Sequence, residues 1–329
     1  MVERSNGWSI IAGDHSEHLG IDASIEEMIV CIRLVAKLAG IKSLNCVLAP
    51  TSTSCFFATL EVGPEFDLRD RTALAFELED HLPIDAESMV ADFVVVPSSQ
   101  AVKTVSSVAI EVARWCEIAE ALESAGIRDS SVVPAAVLAT RSICKDLQFT
   151  DTFDLLLLDD SDCDLLKVQN EAIIGWKHIR FDPTLLRRHK LLDNGCSDFI
   201  IVVGSDETQQ PVIRSIYDEF ELNSGTWEYH VTRGAELLFG KSSPRWFDLR
   251  RDQLGPADPL RPIQTHLRVV ALAAAACLLA VVIGGWWRTQ RIETEIVNVR
   301  SQQQKLFRTA FANTKVPAAL LRRVRSEHA

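Results

Sequence analysis

No two of the eight cysteines in this 329-residue chain are spaced as CxxC. They stand at positions 31, 46, 55, 116, 144, 163, 196 and 277. Most lie inside apolar stretches such as SCFFATL and MIVCIRL, where reduced core thiols belong, and reduced thiols imply a cytosolic compartment. A secretory signal is also lacking. The first thirty residues mix acids, histidines and Trp8 without any apolar h-region. No Ser/His/Asp or Cys/His pairing stands out among the eight histidines, so the sequence names no catalytic group. Positive charge is scarce ahead of residue 288. Residues 288–329 hold nine Lys/Arg against three Asp/Glu, a net of +6, which leaves −17 on residues 1–287 out of the chain's −11. A domain that acidic repels the phosphate backbone, which excludes nucleic acid as a partner and favours basic surfaces.

What the chain does have is one uninterrupted apolar run, Val269 to Trp287 (VVALAAAACLLAVVIGGWW), closed by Arg268 and Arg288. Nineteen helical residues cover roughly 28 Å, the thickness of a hydrocarbon core. Trp286 and Trp287 sit where an aromatic belt belongs. The expectation is a single-pass protein in a lipid bilayer. The charge rule does not orient it, because Arg245, Arg250, Arg251, Arg261 and Arg268 oppose Arg288, Arg291, Arg300, Lys305 and Arg308. The missing signal and the cysteines choose a cytoplasmic N-terminus and a periplasmic C-terminus.

Ahead of the run, strand and helix patterns alternate, which predicts α/β layers. Helices are expected at 25–39, 71–82, 112–125, 134–144, 183–192 and 208–221. Strands are expected at 44–48, 54–60, 91–96, 104–110, 198–203 and 226–231, with three more inside 153–178 and a turn at Gln169-Asn170-Glu171. Residues 243–266, rich in Pro, Gly, Asp and Arg, read as an irregular linker. The expected division is a first half at 1–145, a second at 146–242, the linker at 243–266, a span at 267–288 and a helical, coiled-coil segment at 289–329.

Two such halves with a cleft between them resemble the plan of the actin/hexokinase/Hsp70 superfamily. Three segments are closer still in likeness. AFELEDHLPIDAESMVADFVVV (75–96) resembles a stretch shared by pilus-assembly protein M and type II secretion system protein L. VAIEVARWCEIAEALESAGIRDSSVVPAAVLATRS (108–142) is similar to the link between their halves. RWFDLRRDQL (245–254) resembles the juxtamembrane motif of protein L, and QKLFRTAFANTKVP (304–317) the start of that protein's periplasmic part. Protein M has no span of its own, pilus-assembly protein N supplying one, so the fused arrangement favours protein L. The resemblance implies an actin-like fold and a scaffold that recruits the cytoplasmic secretion ATPase to the inner membrane. It also implies a bitopic partner in the same machine. A pilus system, or a membrane-tethered actin-like ATPase, stays as the alternative. Relatives continue into a small ferredoxin-like periplasmic domain, for which 288–329 is too short.

Active members of that superfamily hold phosphate on hairpins containing Asp-x-Gly. The corresponding places are expected at IAGDHSEHLG (11–20) and LDDSDCDLL (158–166). The latter has no glycine and four acids, Asp159, Asp160, Asp162 and Asp164, and near the adenosine side only Gly204 remains. The expectation is a pseudo-enzyme with no cofactor. Gly234-AELLF-Gly240-Lys241-Ser242 has one residue too many for a Walker A loop and reads as a helix ended by Gly240. Asp14, His15, Glu17 and His18 read as exposed turn residues rather than metal ligands.

The candidate working surfaces are therefore for association. Glu77, Glu79, Asp80, His81 and Asp85 form the densest acidic cluster and offer a docking edge for a basic surface of the ATPase. Ala276, Ala280 and Gly284 recur every fourth residue, a spacing that lets two spans approach closely. Ile292, Ile296, Val299, Gln303 and Leu306 form a short heptad seam with one polar position. Both predict a parallel homodimer or a heterodimer with a similar membrane partner. Gly284→Leu is expected to weaken span association several-fold in a membrane two-hybrid assay, and an unchanged signal would end the small-residue model.

Overall fold

The computed structural model describes residues 1–97, 103–147, 152–159, 162–192, 199–205, 209–217, 219–223, 225–239, 246–255 and 264–310. It divides into two compact units, Met1–Pro256 and Ala257–Ala329.

The first unit opens with three short strands, β1 (Val2–Arg4), β2 (Gly7–Ala12) and β3 (His15–Gly20), joined by two tight turns. Helix α1 (Ile25–Leu38) follows. Its start is set by a capping box, in which Glu27 N–H donates to Ser24 Oγ at 3.2 Å and Ser24 N–H to Glu27 Oε2 at 2.8 Å. Strand β4 (Asn45–Leu48) then runs parallel to β8 (Arg128–Val132). Reciprocal bonds Glu3 N–H to Ala49 O and Ala49 N–H to Met1 O, both 2.8 Å, tie β1 to the end of β4. The first half thus carries strands in the order β3-β2-β1-β4-β8.

Between β4 and β8 lies an inserted layer: β5 (Cys55–Val62), α2 (Arg71–Glu79), β6 (Met89–Val95), β7 (Lys103–Glu111) and then α3 (Val112–Ser124). Its sheet is antiparallel with β7 in the centre. It has a small core of its own, built from Leu60, Leu74, Leu78, Met89, Val105 and their neighbours. After β8, helix α4 (Ala135–Leu147) closes the half.

The second half repeats the plan without the insert. Its elements are β9 (Phe153–Asp159), β10 (Asp162–Gln169), β11 (Ala172–Arg180), α5 (Pro183–Leu192), β12 (Phe199–Val203), α6 (Gln210–Arg214), β13 (Glu219–Asn223) and α7 (Trp227–Leu238). Their sheet order is β11-β10-β9-β12-β13, the same as in the first half. Asn170 and Glu171 take φ of 50° and 62° in the β10–β11 turn, as a two-residue hairpin with the strands' right-handed twist demands. Strands β9 and β12, buried on both faces, are nearly continuous Leu, Ile and Val.

The last helices of the two halves cross each other. At the crossing a Cβ on Gly234 of α7 would lie 2.0 Å from the Leu138 carbonyl of α4, so no side chain larger than hydrogen fits. Beside it Ser142 Oγ and His230 Nδ1 are 3.1 Å apart, and His230 Nε2 is 3.0 Å from Asn223 Oδ1. Burial pushes the His230 pKa down. The ring is therefore neutral, donating from Nε2 and accepting at Nδ1.

Several sequence expectations are corrected here. His15, Glu17 and His18 are not turn residues but belong to β3 of the β2–β3 hairpin, and α2 stops at Glu79 with Asp80 as its C-cap rather than at 82. The expected helix 208–221 is a five-residue helix followed by β13, because Phe220 and Leu222 are recruited to pair with β12. The expected strand 226–231 is the start of α7. Thr226 caps it from Tyr229 N–H at 3.2 Å, and Trp227, His230, Val231 and Gly234 bury one helical face.

The linker expectation is also overturned for 246–255. Phe247, Leu249 and Leu254 are fully buried in the main core, each contributing about 1.5–3 kcal/mol of apolar burial. Leu249 N–H donates to the Val132 carbonyl at 2.7 Å. This segment is a strap seated on the first half.

The second unit contains α8 (Gln264–Ala310), a single uninterrupted helix. From Val269 onward it is long and apolar enough to cross a membrane.

Gly234→Ala is expected to lower unfolding stability by about 1–3 kcal/mol through overpacking, despite alanine's better helix propensity. Thermal unfolding of the variant checks this, and an unchanged or raised midpoint would mean the crossing has slack.

Candidate functional site

Matching strand order fixes which turns are equivalent in the two halves. The β9–β10 turn after Asp159 corresponds to the β1–β2 turn at Ser5-Asn6. It does not correspond to the β2–β3 turn at Gly13-Asp14, where the sequence reading placed the first phosphate hairpin. Gly13 is exposed, with φ of 58° and open space around it.

At the mouth between β1 and β9 lies a polar cavity of about 430 Å³, lined by Arg4, Asp159, Gly204, Asn223, Thr226 and Glu228 among others. Arg4, at the end of β1, dominates it. Its guanidinium donates to the Asp159 carboxylate and, at 2.7 Å, to Glu228 Oε1 in the first turn of α7. It also lies 5.4 Å over the Trp227 ring. The end of β1 thus holds an arginine already matched by two carboxylates. Among the described lining residues, one cation stands against two anions. Gly204 is needed for another reason. Its φ is 82° and a Cβ there would meet the Leu158 carbonyl at 2.5 Å, so it serves the close approach of the β12 end to β9.

Two further carboxylates are buried nearby, and protein donors occupy both. Glu3 accepts from Thr51 N–H at 3.1 Å and Ser54 Oγ at 2.8 Å, and pairs with Arg114 at 2.6 Å. Asp164 accepts from Ser52 Oγ at 2.6 Å, Trp176 Nε1 at 3.0 Å and His178 Nδ1 at 2.9 Å. The Thr51–Ser54 turn of the first half is thereby pinned between β1 and β10. Of the four acids in the 158–166 segment, Asp159 and Asp164 are engaged in these contacts, and Asp160 lies outside the described residues. Among the described residues no three His, Cys, Asp or Glu side chains converge on a metal position. On the β2–β3 hairpin, His15 and Glu17 fall on one face and His18 on the other, next to Ser9 Oγ at 2.8 Å.

The strap is held by a third buried carboxylate. Asp92 of β6 accepts from Asp248 N–H at 2.7 Å, and pairs with Arg251 at 2.8 Å and Arg71 at 3.1 Å. Burial pushes the Asp92 pKa up, against the opposing pull of those donors. Arg250 adds a pair with Glu123 of α3 at 2.5 Å. The strap therefore touches β6, β8 and α3 at once. Sequence reasoning quoted these residues as a motif but missed the docking, because its buried partners lie 116 or more positions away.

In the acidic cluster Glu77, Asp80, His81 and Asp85 are exposed at the end of α2. Glu79 is different. Its carboxylate accepts from Ala86 N–H at 3.2 Å and braces the following turn. Of the Walker-like segment, Gly234 lies inside α7, while Gly240, Lys241 and Ser242 lie outside the described residues. On α8 the Ala276, Ala280 and Gly284 stripe and the seam through Ile292, Ile296, Val299, Gln303 and Leu306 share one straight helix. At about 100° per residue the two sets point roughly 100–160° apart, so one helix pair cannot bury both.

Two five-stranded sheets of identical order, each ending in a helix that crosses its counterpart, define the duplicated α/β architecture of the actin-like fold. Comparison with solved structures agrees. The chain is similar to the PilM–PilN type IV pilus biogenesis complex at a TM-score of 0.58 and 12% identity, covering 70% of this chain and 94% of that one. It is similar to the cytoplasmic domain of EpsL, an inner-membrane component of the type II secretion system of Vibrio cholerae. There the TM-score is 0.52 and the identity 14%, covering 77% of this chain and 97% of that one. At such identities the likeness is one of fold. No family model and no curated protein matches the chain.

Asp164 accepts a hydrogen bond from His178, which raises the imidazole pKa above 6.5 in the folded protein, with burial opposing. The stabilisation is fully present below that ordinary value and is lost as pH rises through the raised one. The difference in melting temperature between wild type and His178→Phe is therefore expected to be larger at about pH 5.5 than at about pH 9. A difference independent of pH would remove the charged link from the account.

Proposed function

We propose that the chain is an inner-membrane assembly scaffold of a type II secretion or type IV pilus machine, working by association and not by turnover. The observation that carries this reading is the Arg4–Asp159–Glu228 latch. An actin-like cleft whose phosphate position is filled by a neutralised arginine is poorly built for ATP. Close to it in sequence stand a seated strap and a helix of membrane-spanning character, the order expected of a tethered platform.

In this reading the cytoplasmic unit recruits the secretion or pilus ATPase, and α8 anchors it with the C-terminus on the periplasmic side. The free cysteines support a reducing compartment for the first unit. Burial pushes the Cys144 and Cys163 thiols up to about 12, which leaves them unreactive. The exposed acids at the end of α2 supply the docking edge, with Glu77 and Asp80 free to meet a basic partner. Because the small-residue stripe and the seam face different ways, α8 is suited to two helix partners: a second copy and a bitopic membrane protein of the same machine.

The test is a pull-down with the full chain in detergent against the host's secretion and pilus ATPases, with a Mg-ATP thermal shift alongside. Capture of one ATPase, no shift, and at least threefold weaker capture after Glu77→Lys with Asp80→Lys are expected. No capture together with a magnesium-dependent ATP shift would move the assignment to a tethered actin-like ATPase.

A further inference from the structure

Helix α1 buries one face on the first sheet through Met28, Ile32, Val35 and Ala36. A helix with such a seat ordinarily turns polar residues to water on the other side. This one does not. Val30, Leu34 and Leu38, spaced by four, are 65%, 47% and 54% exposed. Contiguous exposed apolar surface of this kind marks an interaction site.

The charges beside the row say what kind of partner fits. Arg33 is turned to the Ala125 carbonyl at 2.8 Å and Glu27 is held in the Ser24 capping box, while Glu26 and Lys37 are exposed. Eleven residues separate them, close to three full turns, which sets both on the same flank of the row at its opposite ends. When two copies of such a helix pack antiparallel about a two-fold axis, each flank faces the same flank of its partner, reversed in direction. Glu26 then meets Lys37 of the second copy, twice by symmetry, while Val30 and Leu34 interleave near the axis in the i±4 ridge packing of soluble helices. Parallel packing would offer neither ion pair. The surface is self-complementary.

We propose that the exposed face of α1 is an isologous docking surface for a second copy of this chain. It is separate from the span and independent of whether the protein recruits an ATPase. One helix face is smaller than the ~800 Å² per partner of a standard interface. The contact is therefore weak between free chains and acts between copies already concentrated in one membrane.

The experiment uses the full chain in native membranes, with a photo-crosslinkable phenylalanine analogue at Leu34 and, as control, at exposed Glu117 of α3. A product of twice the 36.6 kDa chain mass is expected from position 34 and not from 117. Lys37→Glu or Glu26→Lys alone should reduce its yield about threefold or more, and the combined exchange should restore it. That rescue distinguishes pairing from misfolding. Absence of the dimer product, adducts only to another protein, or a yield blind to the charge changes would overturn the proposal.

Discussion

The contact on which the first unit depends is the crossing of α4 and α7 at Gly234. Duplication hands each half a sheet of the same order followed by a terminal helix, and the two helices share one interior between the sheets. Their closest approach is set by a missing Cβ against the Leu138 carbonyl. A neutral histidine locks the crossing beside Ser142 and Asn223. Backbones this close leave no room for gradual sliding, because packed interiors are near crystal density.

Around that crossing, three buried carboxylates join segments that would otherwise part. Glu3 holds the Thr51–Ser54 turn to β1, Asp164 holds the same turn to β10 and β11, and Asp92 holds the strap to β6. Each is saturated by donors, the condition for keeping a carboxylate out of water at tolerable cost. The same economy explains the cleft. Arg4 spans from β1 to β9 and α7, bridging that mouth with protein charges. Two of the four acids in the 158–166 segment, Asp159 and Asp164, are consumed in these links.

Much of the fold was legible beforehand. Helix α1 announces itself by its capping residues and its 3.6-residue period, the β10–β11 hairpin by its turn residues, and α8 by composition alone. Where the reading failed, the local signal was ambiguous. Trp227 to Val231 is aromatic and β-branched enough to pass for a strand until Thr226 is seen to cap it. Residues 217–222 suit a helix, yet β12 needed an edge partner and took them. The strap fared worst, since Pro, Gly and Arg around it describe a linker. Its burial follows from Asp92, Glu123 and Val132, far away in the chain.

The amino-acid order by itself determined the helices and most strands, the acidic balance of residues 1–287 and the apolar helix, because periodicity, caps and charge are properties of neighbouring residues. Only the tertiary structure decided that Ser5-Asn6 and not Gly13 is the partner of the β9–β10 turn. It alone showed that Arg4 fills the cleft, that the strap is seated, and that α1 keeps an apolar face uncovered. Each of these depends on which distant segments come to share one volume, and the energy of such contacts is written in no local pattern.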